Sequence, residues 1–495
     1  MKALAGYSQI SNKQTFLSAY RERFYNNDIT SIGQGANDGT KSNTGSDAAY
    51  GLRSYFGRIN YAYAGKYLLE VNGRYDGSSR FADNKRYSFF PSFSAGWRIA
   101  QENFFAPLLP VVNDLKLRGS YGTTGNQSVD LYSYYDALTA TSYTFNGVPV
   151  QGYRQTTLAN TDLGWESTTQ LDLGLDAAFL DRRLTVTADY YRKLTSDILL
   201  NLDIPATVGL NAPPQNAGAV ENKGIELAVN YSSKQTGKVR YNIGANVSYN
   251  ENKVTDLKGT GPYITGSDID PRYIIKTGLP INTLWGYQTD GLFQTQEEIN
   301  KYPTLAANTK PGDVKYVDRN NDGKIDANDM TAIGVSFPKY TFGLNAGIQY
   351  NGFELNILLQ GAAKVDTRLS GALAEMGNQE GFTHKIYTNN YWTPENTNAR
   401  FPRPVKYDLR NVATSDRLVI DGSYLRLKNI QLAYHVPAAI SQRAFLRNAR
   451  IYVSATNLFT ISKLNEWNLD PEAESGRAVY YPQTSLYTVG INLQF

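Results

Sequence analysis

The chain has 495 residues with 37 Tyr, 42 Gly, no Cys, 49 basic and 45 acidic residues, and a mean hydropathy of -0.43. No run of eighteen or more apolar residues occurs, so a membrane-spanning helix is excluded, and the lack of Cys removes disulfides, thiol nucleophiles and thiolate metal sites. The net charge of +4 is spread along the chain without the basic patch that nucleic-acid binding requires, and nucleic acid is set aside as a partner.

In chain order, stretches of alternating apolar and polar residues recur. The first is 2–8. Residues 55–63 turn at 64–66 into 67–75, where Tyr67, Leu69, Val71, Gly73 and Tyr75 share one face while Glu70, Asn72 and Arg74 share the other. Residues 89–99 and 115–121 follow, joined by a connector containing Pro. Residues 171–179 turn into 184–190, 224–231 pass into 241–249, and 340–350 turn at Asn351-Gly352 into 353–359. In 424–434 the alternation changes parity after Leu427, which predicts a β-bulge near Asn429; 451–459 follows.

The last strand predicted is 487–495. Tyr487, Val489, Ile491, Leu493 and Phe495 fall on one face, with Thr488, Gly490, Asn492 and Gln494 on the other, and this is the pattern of a barrel-closing strand between lipid and a polar lumen. About fourteen spanning strands result, an even number. Connectors are short and long in turn, the long ones at 10–50, 76–86, 123–166, 200–221, 252–337, 362–421 and 461–484. That asymmetry is expected of tight periplasmic turns and extended extracellular loops.

A soluble sandwich gives the same alternation with its apolar face inward, so the polar face must decide. Lys116, Arg118, Asp172, Asp176, Asp189, Glu226 and Glu354 lie between apolar neighbours. Unpaired in a dry core each would cost several kcal/mol, whereas a wet lumen solvates them. The fold class expected is all-β, a transmembrane antiparallel β-barrel in a Gram-negative outer membrane, with lipid as its surroundings.

Several segments then resemble one family, the SusC/RagA-like TonB-dependent transporters. They are Gly57-Arg58-Ile59-Asn60-Tyr61, Arg74-Tyr75-Asp76-Gly77-Ser78-Ser79-Arg80-Phe81, and Phe90-Pro91-Ser92-Phe93-Ser94-Ala95-Gly96-Trp97-Arg98. Leu115-Lys116-Leu117-Arg118, Trp165-Glu166, Asn222-Lys223-Gly224-Ile225-Glu226, Tyr391-Trp392-Thr393-Pro394-Glu395-Asn396, Tyr424-Leu425-Arg426-Leu427-Lys428-Asn429 and Ala455-Thr456-Asn457-Leu458-Phe459 continue the series in family order. The resemblance implies a 22-stranded barrel with an N-terminal plug and a TonB-binding box, a SusD-like surface lipoprotein as partner, coupling to the TonB system through the plug region, and import of glycan or peptide fragments. Residues 1–495 are expected to be the C-terminal barrel portion, about 14 of the 22 strands, with Met1 an internal methionine or the start of a truncated product. Neither a leader nor a plug nor a TonB box is legible in it.

Within the extracellular loop 252–337, residues 318–329 have calcium-loop spacing. Asp318, Asn320 and Asp322 stand at positions one, three and five, Gly323 at six, Lys324 with its carbonyl at seven, Asp326 at nine and Asp329 at twelve, an oxygen set suited to a hard cation. A polar turn that binds nothing has the same composition. Loop aromatics Trp285, Tyr287, Phe293, Tyr387, Tyr391 and Trp392 are candidate substrate or partner contacts, as rings that stack on sugars or pack on a capping protein, although for any single ring ordinary loop packing or girdle anchoring ranks ahead. No catalytic residue is predicted: the two histidines, His384 and His435, have no suggestive spacing, and the first alternative is a passive porin or surface-binding barrel without energy coupling, with a membrane-embedded hydrolase ranked below it.

Overall fold

The computed structural model describes residues 1–201, 204–234, 236–266, 271–374, 384–405, 410–473, 480–481 and 483–495. Fourteen long strands dominate it: β1 (Lys2–Tyr20), β2 (Ser42–Tyr63), β3 (Tyr67–Ser78), β4 (Tyr87–Arg98), β5 (Val112–Asn126), β6 (Glu166–Phe179), β7 (Leu184–Ser196), β8 (Ala219–Ser232), β9 (Val239–Asp256), β10 (Tyr340–Tyr350), β11 (Phe353–Ala363), β12 (Tyr424–His435), β13 (Asn448–Ser462) and β14 (Leu486–Gln494). They form one sheet in strict sequence order, and the pairs β1–β2, β2–β3 and β9 through β14 are registered antiparallel. By contact density the chain falls into two compact units, one of residues 1–95, 120–171 and 194–219 and one of residues 96–119, 172–193 and 220–495.

Exposure along the strands is inverted relative to a soluble sheet. In β14 and the residue after it, Tyr487, Val489, Ile491, Leu493 and Phe495 are all exposed, as are Ile451 and Val453 on β13 and Leu432 on β12. A row of large apolar side chains facing outward along successive strands is a lipid-facing surface. The opposite face is polar, and where it carries a ring it has glycine beneath. A Cβ on Gly490 would stand 2.4 Å from the Tyr452 ring, and one on Gly6 would stand 2.3 Å from Phe56, so only glycine lets these rings lie flat across the neighbouring strand.

The parity change in β12 is a bulge. Leu358 pairs with Asn429 and Leu359 with Leu427, leaving Lys428 as the extra residue and returning Ile430, Leu432 and Tyr434 to the outward face. The connector expected at 10–50 is corrected: β1 runs to Tyr20 and β2 starts at Ser42, leaving only 21–41 between them. Residues 11–15 and 42–47 are polar or glycine throughout, so no apolar alternation marks them while pairing continues, and Thr15 donates to Asp47 across the pair at 2.6 Å. The long connectors also carry structure of their own. Between β9 and β10 lie a four-stranded sheet (Tyr263–Thr265, Tyr273–Ile275, Thr283–Gly286, Thr331–Val335) and the pair Thr289–Leu292 with Val314–Tyr316; between β5 and β6 lies the hairpin Leu138–Phe145 with Val148–Gln155.

Candidate functional site: the polar face and the loop layer

The charges predicted on the polar face are there, and among the described residues all but Glu226 take part in ion pairs. Arg118 on β5 donates to Asp189 at 2.7 Å and to Asp176 at 3.2 Å, stands 3.5 Å from Asp172, and shares Asp176 with Lys116 at 3.8 Å. Gly174 makes room for this cluster, since a Cβ there would lie 2.4 Å from the Arg118 guanidinium carbon. Glu226 accepts only a long bond from Ser248, 3.4 Å. Near the turn end, Glu354 faces His435 at 2.6 Å and Arg450 at 3.2 Å, and Arg450 also donates to Gln431 at 2.5 Å. His435 is thus a strand-end residue in an ion-paired cluster as well as a turn neighbour.

Four of the six candidate contact rings are inside the loops. Tyr287 packs with Val314, Tyr316, Ile325 and Met330, with Trp285 partly buried against them. Phe293 lies edge-on to Tyr302 at 6.1 Å. Tyr387 packs with Phe401 and Trp467, and Tyr391 borders that cluster. Trp392 is buried with its indole N–H donating to Gln294 at 2.9 Å. Loops of this length need cores, and the rings supply them; Tyr287, Phe293, Tyr387 and Trp392 have no face left for a ligand, while Trp285 and Tyr391 remain half-buried. Burial of Tyr387 pushes its phenol up to about 12.

Two buried ionic hubs tie the layer together. Asp313 accepts from Asn411 and Arg403, each at 3.0 Å, and from the Lys310 backbone at 2.8 Å. Arg426, at the loop end of β12, is 1% exposed and donates to Thr460 (2.7 Å), Asp470 (2.6 Å) and Glu472; the bulged Lys428 reaches the same Glu472 at 2.9 Å. His384 accepts from the Ile386 backbone at 3.4 Å, lies stacked on Trp467 with centroids 6.2 Å apart, and is 3.3 Å from the Asn468 amide, with its pKa lowered by burial and then by Lys385.

In 318–329 the carboxylates are engaged by the loop's own N–H groups. Asp318 accepts from Gly323 (2.9 Å), Asp322 from Lys324 (2.9 Å), and Asp326 from Asn328 (2.7 Å). Asn320 accepts from Asp322 at 3.0 Å, and the fully buried Asp329 accepts from Arg319 at 2.8 Å and Asp326 at 2.9 Å, closing a capping box. Among the described residues no group of three or more His, Asp or Glu side chains is placed to hold a metal ion.

One feature lies outside the residues singled out by sequence. A cavity of about 570 Å³ opens between Arg80, Gln127, Ser128, Asp130, Leu199, Asn201 and Pro214. Arg80 belongs to the motif ending at Phe81; its guanidinium donates to the Val129 carbonyl and stacks 4.7 Å above Tyr50, while Phe81, Val129 and Leu163 form the small core beneath. Gln127 Oε1 is buried without a partner among the described residues. The motif marks Arg80, but only the fold brings it to the two other connectors that line the cavity.

An outward apolar face and a charged opposite face define a membrane β-barrel wall. The chain belongs to the family described as TonB dependent receptor-like, beta-barrel, which it matches over residues 3–458, and it is an outer-membrane β-barrel protein. It is 33% identical over 465 residues to TonB-dependent receptor P3 of Formosa agariphila, covering 90% of this chain and 45% of that one. To TonB-dependent receptor SusC of Bacteroides thetaiotaomicron it is 32% identical over 463 residues, 90% of this chain and 44% of that one. The structure of the RagAB peptide transporter superposes with a TM-score of 0.84 at 26% identity, covering 100% of this chain and 53% of that chain. The chain therefore spans about half the length of the relatives it matches. These relatives are receptors and transporters, not enzymes.

Proposed function

We propose that this chain is the barrel portion of a TonB-dependent importer of peptide or glycan fragments, working with a SusD-like surface lipoprotein on the loop side and with the TonB system through a plug region. The observation that carries this is the likeness along the whole chain to the RagAB peptide transporter. The polar cavity beside Arg80 and Gln127, on the loop side, and the half-buried rings of Trp285 and Tyr391 supply contacts of the mixed polar and aromatic kind such cargo needs. Calcium at 318–329 is kept as a proposal that rests on spacing alone.

The test is uptake by cells carrying the intact protein, its gene deletion, or a TonB deletion, with depletion of peptide and oligosaccharide mixtures followed by mass spectrometry and a tagged barrel used to recover the lipoprotein. Depletion of one class that needs both the gene and TonB is expected. Uptake that needs the gene but not TonB would establish the passive porin instead.

A further inference from the structure

On the turn side 64–66, 180–183 and 351–352 are tight, and 233–238 joins β8 to β9. The other two carry short helical segments, Ile99–Gln101 and Asn103–Leu108 between β4 and β5, and Ala438–Ser441 and Gln442–Ala444 between β12 and β13. In the first, Ala100 and Phe105 are buried, and the Asn113 side chain donates to the Leu109 carbonyl while accepting from the Arg182 backbone, each at 3.0 Å. The connector is held at both points. Held so, it leaves Phe104 65% exposed, with Leu108, Leu109 and Val111 exposed beside it.

The direction in which this apolar surface faces is set by Trp97, the last outward residue of β4. The Phe104 ring packs edge-on against Trp97 with centroids 6.4 Å apart, and the Trp97 indole N–H donates to Glu102 at 3.1 Å. The connector's apolar residues are therefore continuous with the lipid-facing side of the wall and not with its polar face. In the second connector Phe445 is 91% exposed, carried outward on a left-handed backbone (φ 58°), with Ile440, Arg443 and Arg447 exposed near it in sequence. Large apolar side chains fixed outward at the end of lipid-facing strands are covered by the same lipid.

We propose that these two connectors are membrane feet, lying in the boundary between headgroups and acyl chains of the inner leaflet and binding phospholipid. Phe104, Leu108, Leu109 and Val111 enter the acyl edge from the first foot. Ile440 and Phe445 do so from the second, where Arg443 and Arg447 pair with lipid phosphates. The feet fix the depth of the wall at its turn end.

The absence of cysteine makes the test direct: single-cysteine variants F104C, V111C and F445C of the full chain, spin-labelled in outer-membrane vesicles, with accessibility to oxygen and to a nickel chelate read by power saturation. Phe89→Cys marks the lipid band, and Tyr143→Cys, at the exposed hairpin of the loop side, marks water. In samples whose Phe89 label reads lipid, the oxygen-to-chelate ratio at 104, 111 and 445 should exceed that at 143 by about tenfold. A ratio at 104 and 111 equal to that at 143 overturns the first foot, and the same result at 445 overturns the second. V111C keeps the test decisive should loss of the Phe104 ring disturb the Trp97 contact.

Discussion

Replacing Arg426 by methionine removes a guanidinium from a site that is 1% exposed while leaving most of its stem volume filled. Three bonds are lost at once, to Thr460, Asp470 and Glu472. Glu472 keeps Lys428 at 2.9 Å and the Gln360 amide at 3.0 Å, so its charge stays partly compensated, but Asp470 has no other cation among the ion pairs of the described residues. Breaking a buried pair by removing one partner costs about 3–5 kcal/mol, and because both acids keep some solvent contact the lower end applies, about 3 kcal/mol. Since Asp470 and Glu472 lie in a loop, the loss falls on local opening of the segment after β13. At 1.4 kcal/mol per tenfold, protection of backbone amides in 463–473 should fall about a hundredfold, with peptides from β2 unchanged. Hydrogen exchange followed by mass spectrometry on the intact protein reads this directly, and R426K, which keeps the charge but not the fork, should fall between. A change under about threefold in R426M, or an equal change in β2, would refute the claim that Arg426 anchors this loop to the wall.

Gly174→Ala should push the Arg118 guanidinium off its acids, costing about 1 kcal/mol because the cluster is partly hydrated, and should lower the temperature at which the barrel loses its folded mobility in gel electrophoresis. Asp329→Ala leaves the Arg319 and Asp326 N–H groups without their acceptor at about 1–3 kcal/mol each, and limited proteolysis should then cut within 318–329. Calcium titrated into the chain should bind saturably, with the response gone in Asp318→Ala; isothermal calorimetry without any binding heat would leave the capping hydrogen bonds as the loop's sole support. The His384 imidazole has its pKa lowered below 6.5 in the folded loop, so as pH falls an opened loop takes up the proton first. The contribution of its stacking on Trp467 should be whole above about pH 6.5 and be lost as pH falls through the lowered value, and H384F should flatten that acid limb in exchange measurements on 463–473.

What was legible in the sequence is what repeats at short range. Alternation placed all fourteen strands, and the parity change after Leu427 put the bulge near Asn429, next to the extra residue Lys428, because period two is enforced residue by residue by lipid on one face and polar groups on the other. The same rule failed at 10–20 and 42–50, where 11–15 and 42–47 are polar or glycine and leave no apolar period to read although the strands pair. It was silent on the loops for a different reason. Asp313 meets Asn411 98 positions away, Arg426 meets Glu472 46 positions away, and Tyr387 meets Trp467 only through a loop core assembled from distant segments. Loop packing, the reading ranked ahead for any single ring, holds for Tyr287, Phe293, Tyr387 and Trp392, because an aromatic residue in a long loop loses more by staying wet than by packing; composition does not reveal its neighbours.

The same reasoning separates the two ends of the wall. At the loop end, the layer is tied by ionic hubs whose partners come from far along the chain, so exchanging loops leaves untouched the alternation that makes the strands. At the turn end the connectors are local: Phe104 lies seven residues from Trp97 in sequence, and packs on it. A chain built in this way can vary its outer layer freely while its seating in the membrane stays encoded in the strands and the residues next to them.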